Sequence, residues 1–240
     1  MLLEAGPLDL GVALALLSLV ASCADGAPLD PATLPIGDVD ALLLHLRRRV
    51  VGDIVSAEEV CTAPGCHAHV DITFSIQAYL EHHLPAAPPG VLPSGDDGWY
   101  RLEDQNLEFR LPRAADQLAI ARAPQPEQAL LRRCVRPADI TEREQRQVEA
   151  AMEAMAPSLY SELQGICPEC GATVEASFEP LQYTLSELRE QAAFVYEDVC
   201  AIAHHYHWSE AEILALPAAR RARYVELAEA QQAQQERTRA

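Results

Sequence analysis

Cys66-HAHVDITFSIQAY-Leu80 aligns without gaps on Cys170-GATVEASFEPLQY-Thr184, at a constant offset of 104 residues. Ala68/Ala172, Val70/Val174, Phe74/Phe178 and Tyr79/Tyr183 are identical, and Asp71/Glu175 and Thr73/Ser177 are chemically similar. A second cysteine precedes each segment after an apolar residue, in Val60-Cys61 and Ile166-Cys167. Both units read as apolar residue, Cys, short turn, Cys, a strand ending near Phe, then an element carrying Tyr. The alternation of apolar and polar residues after Cys66 is that of a half-buried strand.

Two cysteines in one tight turn present two thiolates from one loop, which is half of a tetrahedral zinc site. Cys167-Pro168-Glu169-Cys170-Gly171 fits this well, because Gly after the second Cys frees the backbone to turn its N–H groups toward the sulfurs. Cys61 and Cys66 are separated by four residues, wider but within the usual range. The expectation is one closed structural zinc site, with ligands Cys61, Cys66, Cys167 and Cys170, tying the two halves together. Four protein ligands leave no open position for water, so such a zinc would not be catalytic. His67 and His69 are substitute ligands. The alternatives are free thiols in two buried turns or a redox dithiol. The dithiol usually sits at a strand-to-helix turn, whereas Cys170 leads into a strand. Cys23, Cys134 and Cys200 read as ordinary buried thiols.

Around the repeat the chain reads as α+β and mostly helical. Residues 39–51 and 184–207 carry apolar stripes at helical spacing, the second through Leu185, Leu188, Ala192, Val195, Val199, Ile202 and Tyr206. Residues 85–98 (PAAPPGVLPSGDDG) form a Pro/Gly loop. Trp99–Glu103 and Leu107–Leu111 read as short strands flanking the polar turn Asp104-Gln105-Asn106, with helices over 114–122 and 127–135. Thr141 with Glu144, and Ser209 with Glu212, are capping boxes that open helices. Pro217 suits the start of a last helix, whose polar end QQAQQERTRA is expected to fray. The segments are 1–84, with the N-terminal helices and first Cys pair; the loop 85–98; strands and helices over 99–156; and 157–240, with the second Cys pair and C-terminal helices.

The N-terminal apolar run Leu10–Val20 precedes Val20-Ala21-Ser22-Cys23, a pattern that can precede a lipidated cysteine. Yet the charges ahead of it are Glu4 and Asp9, where a secretory signal carries positive ones. A buried helix over residues 8–21 is the preferred reading.

The 240 residues include 36 acidic and 18 basic side chains, giving a net charge of -18, and every basic residue is Arg. Nucleic-acid affinity comes largely from basic groups neutralising phosphates, so this balance disfavours a nucleic-acid binder, and an anionic membrane surface equally. Hydrophobic residues at 49% are enough for a substantial core. The odd cysteine count without a secretory signal argues for a reducing cytoplasm rather than a disulfide framework. No phosphate-binding Gly loop and no Gly-x-Ser-x-Gly elbow occurs. His204 and His207 lie one helical turn apart, but lack the Glu of a zinc hydrolase motif. Arg47–Arg49 and Arg220, Arg221 and Arg223 are the tightest basic clusters, expected as helix-surface ion pairs.

Four segments resemble the baseplate hub assembly chaperones of T-even-like contractile phages and related injection systems. They are LPIGDVDALLLHLRRRVVG; LEFRLPRAADQLAIA with ALLRRCV; the CPECG turn with its strand and long helix; and HYHWSEAEILALPAARRARYVEL. Together they cover most of residues 34–228. The resemblance implies a non-enzymatic role in the cytoplasm, binding baseplate hub, spike or tail-assembly proteins, with retention in the finished particle left open. The first Cys pair departs from it, having four intervening residues where relatives tend toward two. Trp99-Tyr100 and the Tyr206–Trp208 corner are candidate contact surfaces. A zinc-ribbon regulatory or nucleic-acid-binding module is the alternative, and a metalloenzyme at His204–His207 a third reading.

Overall fold

A computed structural model describes Leu3, residues 6–103 and residues 106–239. Helix accounts for about 51% of the chain and strand for 18%, so the class is mixed α+β with small antiparallel sheets. Of the polar turn expected at 104–106, Asp104 and Gln105 lie outside the described residues.

The chain opens with α1 (Leu10–Val20), capped by the Asp9 carboxylate accepting from the Val12 N–H. A short 3₁₀ turn leads to α2 (Ile36–Val50). Strands β1 (Ile54–Val60) and β2 (His69–Ser75) form the first hairpin, and α3 (Ile76–His82) follows at once. A four-stranded antiparallel sheet in sequential order comprises β3 (Val91–Pro93), β4 (Trp99–Leu102), β5 (Glu108–Arg110) and β6 (Val135–Arg136). Between β5 and β6 lie α4 (Ala114–Ile120) and α5 (Pro126–Cys134); α6 (Glu142–Met155) comes after β6. The second hairpin is β7 (Ser161–Ile166) with β8 (Thr173–Phe178). It runs into α7 (Pro180–Tyr206), followed by α8 (Glu210–Leu214) and α9 (Ala218–Arg239).

Four expectations need correction. The 85–98 loop contains β3, because Val91–Pro93 pairs with the free edge of β4; Pro93 is tolerated on an edge strand. The N-terminal helix is buried only through Ala13, Leu14 and Leu17; Leu19 and Val20, in its last turn, face solvent. Helix α7 begins at Pro180, four residues before the expected start, since proline's missing N–H has no partner at a first helical position. The C-terminal segment is helical to Arg239, in keeping with the helix propensity of Ala, Gln, Glu and Arg. Both capping boxes form, at Thr141 with Glu144 and Ser209 with Glu212.

The chain divides into two compact units, Met1–Ser186 and Glu187–Ala240. In the first, Leu17, Val39, Leu43 and Leu185 centre one apolar cluster, and Phe109, Val135 and Val148 another. Two further clusters bring the Cys hairpins together. In the second unit, Arg221 pairs with Asp198 at 2.9 Å, and Tyr206, Trp208 and Tyr224 pack ring against ring.

Candidate metal centre

The two hairpins share one register. Val60 pairs with His69 and Ile54 with Ser75 in the first; Ile166 pairs with Thr173 and Ser161 with Phe178 in the second. Each turn begins the same way: Cys61 N–H donates to the Ala68 carbonyl, and Cys167 N–H to the Ala172 carbonyl, both at 2.9 Å. The two extra residues of the first turn are absorbed between its cysteines, where Gly65 takes φ +78°. The residue after the second cysteine is left-handed in both turns, Gly171 at +75° and His67 at +53°. Glycine adopts that conformation freely; a residue with a Cβ is held there at a cost of about 1–2 kcal/mol.

These turns bring the four expected sulfurs together. The Sγ atoms of Cys61, Cys66, Cys167 and Cys170 all lie within 4.8 Å of one another, so the group could hold a metal ion. Cys61 and Cys170 are 3.6 Å apart and Cys66 and Cys167 3.7 Å, each pair crossing between hairpins. A disulfide would need about 2.05 Å. A tetrahedron with zinc–sulfur bonds of ~2.3 Å has edges of about 3.8 Å, which these separations match. Cys61 and Cys167 are buried, Cys66 half-buried and Cys170 exposed.

Backbone N–H groups point at the sulfurs. The N–H groups of Cys170 and Glu169 donate to Cys167 Sγ, and with the Cys170 and Cys66 thiols they lower its pKa to about 7 against burial. Cys66 accepts from the Ala68 N–H, yet the Cys170 sulfur, burial and the other two sulfurs push its thiol up to about 12. Cys61 accepts from the Ala63 N–H, but burial and the sulfurs of Cys170 and Cys167 raise it. Thiolates this close would repel one another, and a cation among them would favour their ionisation.

The faces beneath the turns form a single apolar layer of Val70, Ile72, Val174 and Ala176. Gly165 permits the close approach: a Cβ there would sit 3.0 Å from Ile72 Cγ1. At the other end of the hairpins, Phe74 and Phe178 meet edge to face at 5.0 Å, with Tyr79 and Tyr183 each 5.3 Å from Phe178. Tyr79 Oη donates to the Leu159 carbonyl at 2.5 Å and is 2.7 Å from Ser161 Oγ. Of the residues that match across the two segments, Phe74 and Phe178 therefore touch one another, and Val70 and Val174 share the apolar layer.

Other expected positions fall elsewhere. His67 supplies the left-handed turn, and His69 pairs with Glu58 on the exposed sheet face. Neither joins the sulfur cluster, which is the one potential metal-binding group found among the described residues. Among the described residues, His204 and His207 do not converge with other ligand groups; His207, past the end of α7, has φ +58°, and its N–H caps the Ala203 carbonyl. Cys134 is buried as expected, but Cys23 and Cys200 are exposed. Cys23 lies past the end of α1, and Cys200 lies off the apolar stripe of α7.

Arg47 is not a surface cation: it is buried, and its guanidinium donates to the carbonyls of Gly52 at 2.6 Å and Ile54 at 2.8 Å. Trp99 lies under Arg136, whose Cζ is 3.7 Å from the ring centre. A polar node at Asp116 was not anticipated. Although burial opposes its charge, Arg110, the Arg113 N–H and Arg133 hold its carboxyl well below the usual range. Its sequence signal was an Asp three residues into a helix start, among Arg110, Arg113, Arg132 and Arg133.

No helix among the described residues is long and apolar enough to cross a membrane. Comparison of the chain with protein-family models, with curated proteins and with solved structures gives no match.

Proposed function

We propose that this chain is a non-enzymatic assembly factor or structural component of the baseplate hub of a contractile phage tail or injection system. In this reading its N-terminal unit is closed by one structural zinc, bound by Cys61, Cys66, Cys167 and Cys170. The observation that carries the zinc is the cross-hairpin sulfur spacing of 3.6 and 3.7 Å, supported by N–H groups aimed at the sulfurs. The matched hairpins are read as duplicated zinc knuckles. Zinc would fix four repelling thiolates and join segments a hundred residues apart, contributing directly to folding. The hub role rests on the four resembling segments. A site whose four positions are all filled by protein suits a scaffold rather than a catalyst.

Affinity purification from cells that make the particle, followed by mass spectrometry, tests the role. Hub or spike proteins should co-purify, and deletion of the gene should leave sheath and tube proteins expressed without complete baseplates. Normal particles from the deletion strain would refute it. The two-hairpin form of the sulfur cluster also favours a zinc-ribbon regulatory or nucleic-acid-binding module, which the net charge of -18 opposes. Salt-dependent DNA or RNA binding at micromolar concentration would select that reading instead.

A further inference from the structure

Two hollows of about 280 and 350 Å³ lie side by side in the first unit, sharing Pro112, Glu149 and Met152. The first continues toward Asp40 on α2 and Glu153; the second runs between α6 and α5 toward Leu131 and Glu127. Together they make a trough along one stripe of α6, where Gln145, Glu149, Met152 and Glu153 recur at helical spacing. Val148 and Ala151, on another face of α6, are buried in the core and hold the helix in place. Close approach of Gly37 to the Pro157 carbonyl, 2.9 Å from where a Cβ would sit, fixes the α2 end.

The trough has an apolar floor and a rim of one charge sign. Asp40, Glu127, Glu149 and Glu153 line it, and no Arg does. Among the described residues none of these four carboxylates is in an ion pair. Burial, and then Glu179 nearby, push the Asp40 carboxyl up to about 7, as expected of a sheltered acid without a counter-ion. Elsewhere in the same unit, the buried Asp116 is satisfied by two guanidinium groups. Met152 adds a flexible, polarisable surface of the kind that adapts to varied apolar side chains.

We infer that this trough is a docking surface for a cationic amphipathic segment of a partner protein. Its apolar side chains would seat on Met152 and Leu131, and its Arg or Lys side chains against Glu149 and Glu153, with Asp40 able to give up its proton when a cation arrives beside it. An open, two-lobed trough fits a length of chain better than one compact ligand, and an unneutralised acidic rim selects positive charge. The inference depends on neither the zinc nor the baseplate reading.

The test uses the full-length protein and a fluorescein-labelled Leu/Arg amphipathic helix of about 16 residues, titrated by anisotropy at about 150 mM salt, where bulk attraction is screened. A Leu/Glu peptide of the same pattern is the control. Glu149→Gln with Glu153→Gln should weaken binding about tenfold, the equivalent of ~1.4 kcal/mol. Glu162→Gln with Glu175→Gln, which removes the same charge from the outer face of the second hairpin, should change it less than twofold. Glu149→Gln alone, on an exposed position where Gln can still accept from Gln145, should give an intermediate loss. Equal loss from both double variants, or equal binding of the Leu/Glu peptide, would overturn the inference. So would finding the trough filled by a second copy of the chain, as a dimer that the groove variants dissociate.

Discussion

The two hairpins solve one geometric problem with different turns. Strand pairing keeps one register in both, over seven residue pairs in the first and six in the second. The second turn closes with two residues between its cysteines and a glycine in the left-handed position. The first uses four residues, bends through Pro64-Gly65, and places His67 where its counterpart has Gly171. The sulfurs still arrive within 4.8 Å of one another. The strand register and the aromatic contact at the far end therefore set the geometry, and the turn sequences need only deliver cysteines to it. The hairpins are unequal in burial: Phe178 is buried whereas Phe74 is half-buried, and Gly165 stands where the first hairpin has Glu59.

The largest expected asymmetry is at the aromatic contact at the far end of the hairpins. Phe178→Ala should destabilise the protein by about 3–5 kcal/mol, the range for a buried Phe. Phe74→Ala should cost roughly half of that, because the ring is partly solvated already. Denaturant unfolding of the two variants checks this; equal losses would mean that the hairpins contribute alike. Next comes the close approach at Gly165. Gly165→Val should cost about 1–3 kcal/mol through overpacking against Ile72, while Glu59→Val at the matching position should be near neutral. Similar costs at both would show that the sheet faces are not held as closely as described. The smallest effect lies in the turns. His67→Gly should stabilise by about 1 kcal/mol and Gly171→Ala destabilise by a similar amount, read as opposite shifts in unfolding midpoint.

The sulfur cluster was legible because sequence likeness needs no knowledge of the fold: the gap-free segments match Cys66 with Cys170, and a second cysteine after an apolar residue precedes each. That the two units would face each other was also implied, since four ligands must converge. The helix starts at Thr141 and Ser209 were readable, because caps are local chemistry, whereas the Asp9 cap was not read. What could not be read depends on distant partners. β3 is a strand only because β4 offers it an edge. Arg47 looks like one of three surface cations until the carbonyls of Gly52 and Ile54 turn toward it. Gly165 carries no local signal, since its role exists only against Ile72 on the other hairpin. The exposure of Cys23 and Cys200 follows from where their elements lie, not from the residue type.

The zinc content of the purified chain tests the central claim most directly. The account predicts about one zinc per protein molecule, reduced several-fold by Cys167→Ser together with a loss of thermal stability, while Cys134→Ser leaves the metal content unchanged. Zinc well below one equivalent in the wild-type protein, or a full equivalent retained by Cys167→Ser, would contradict it.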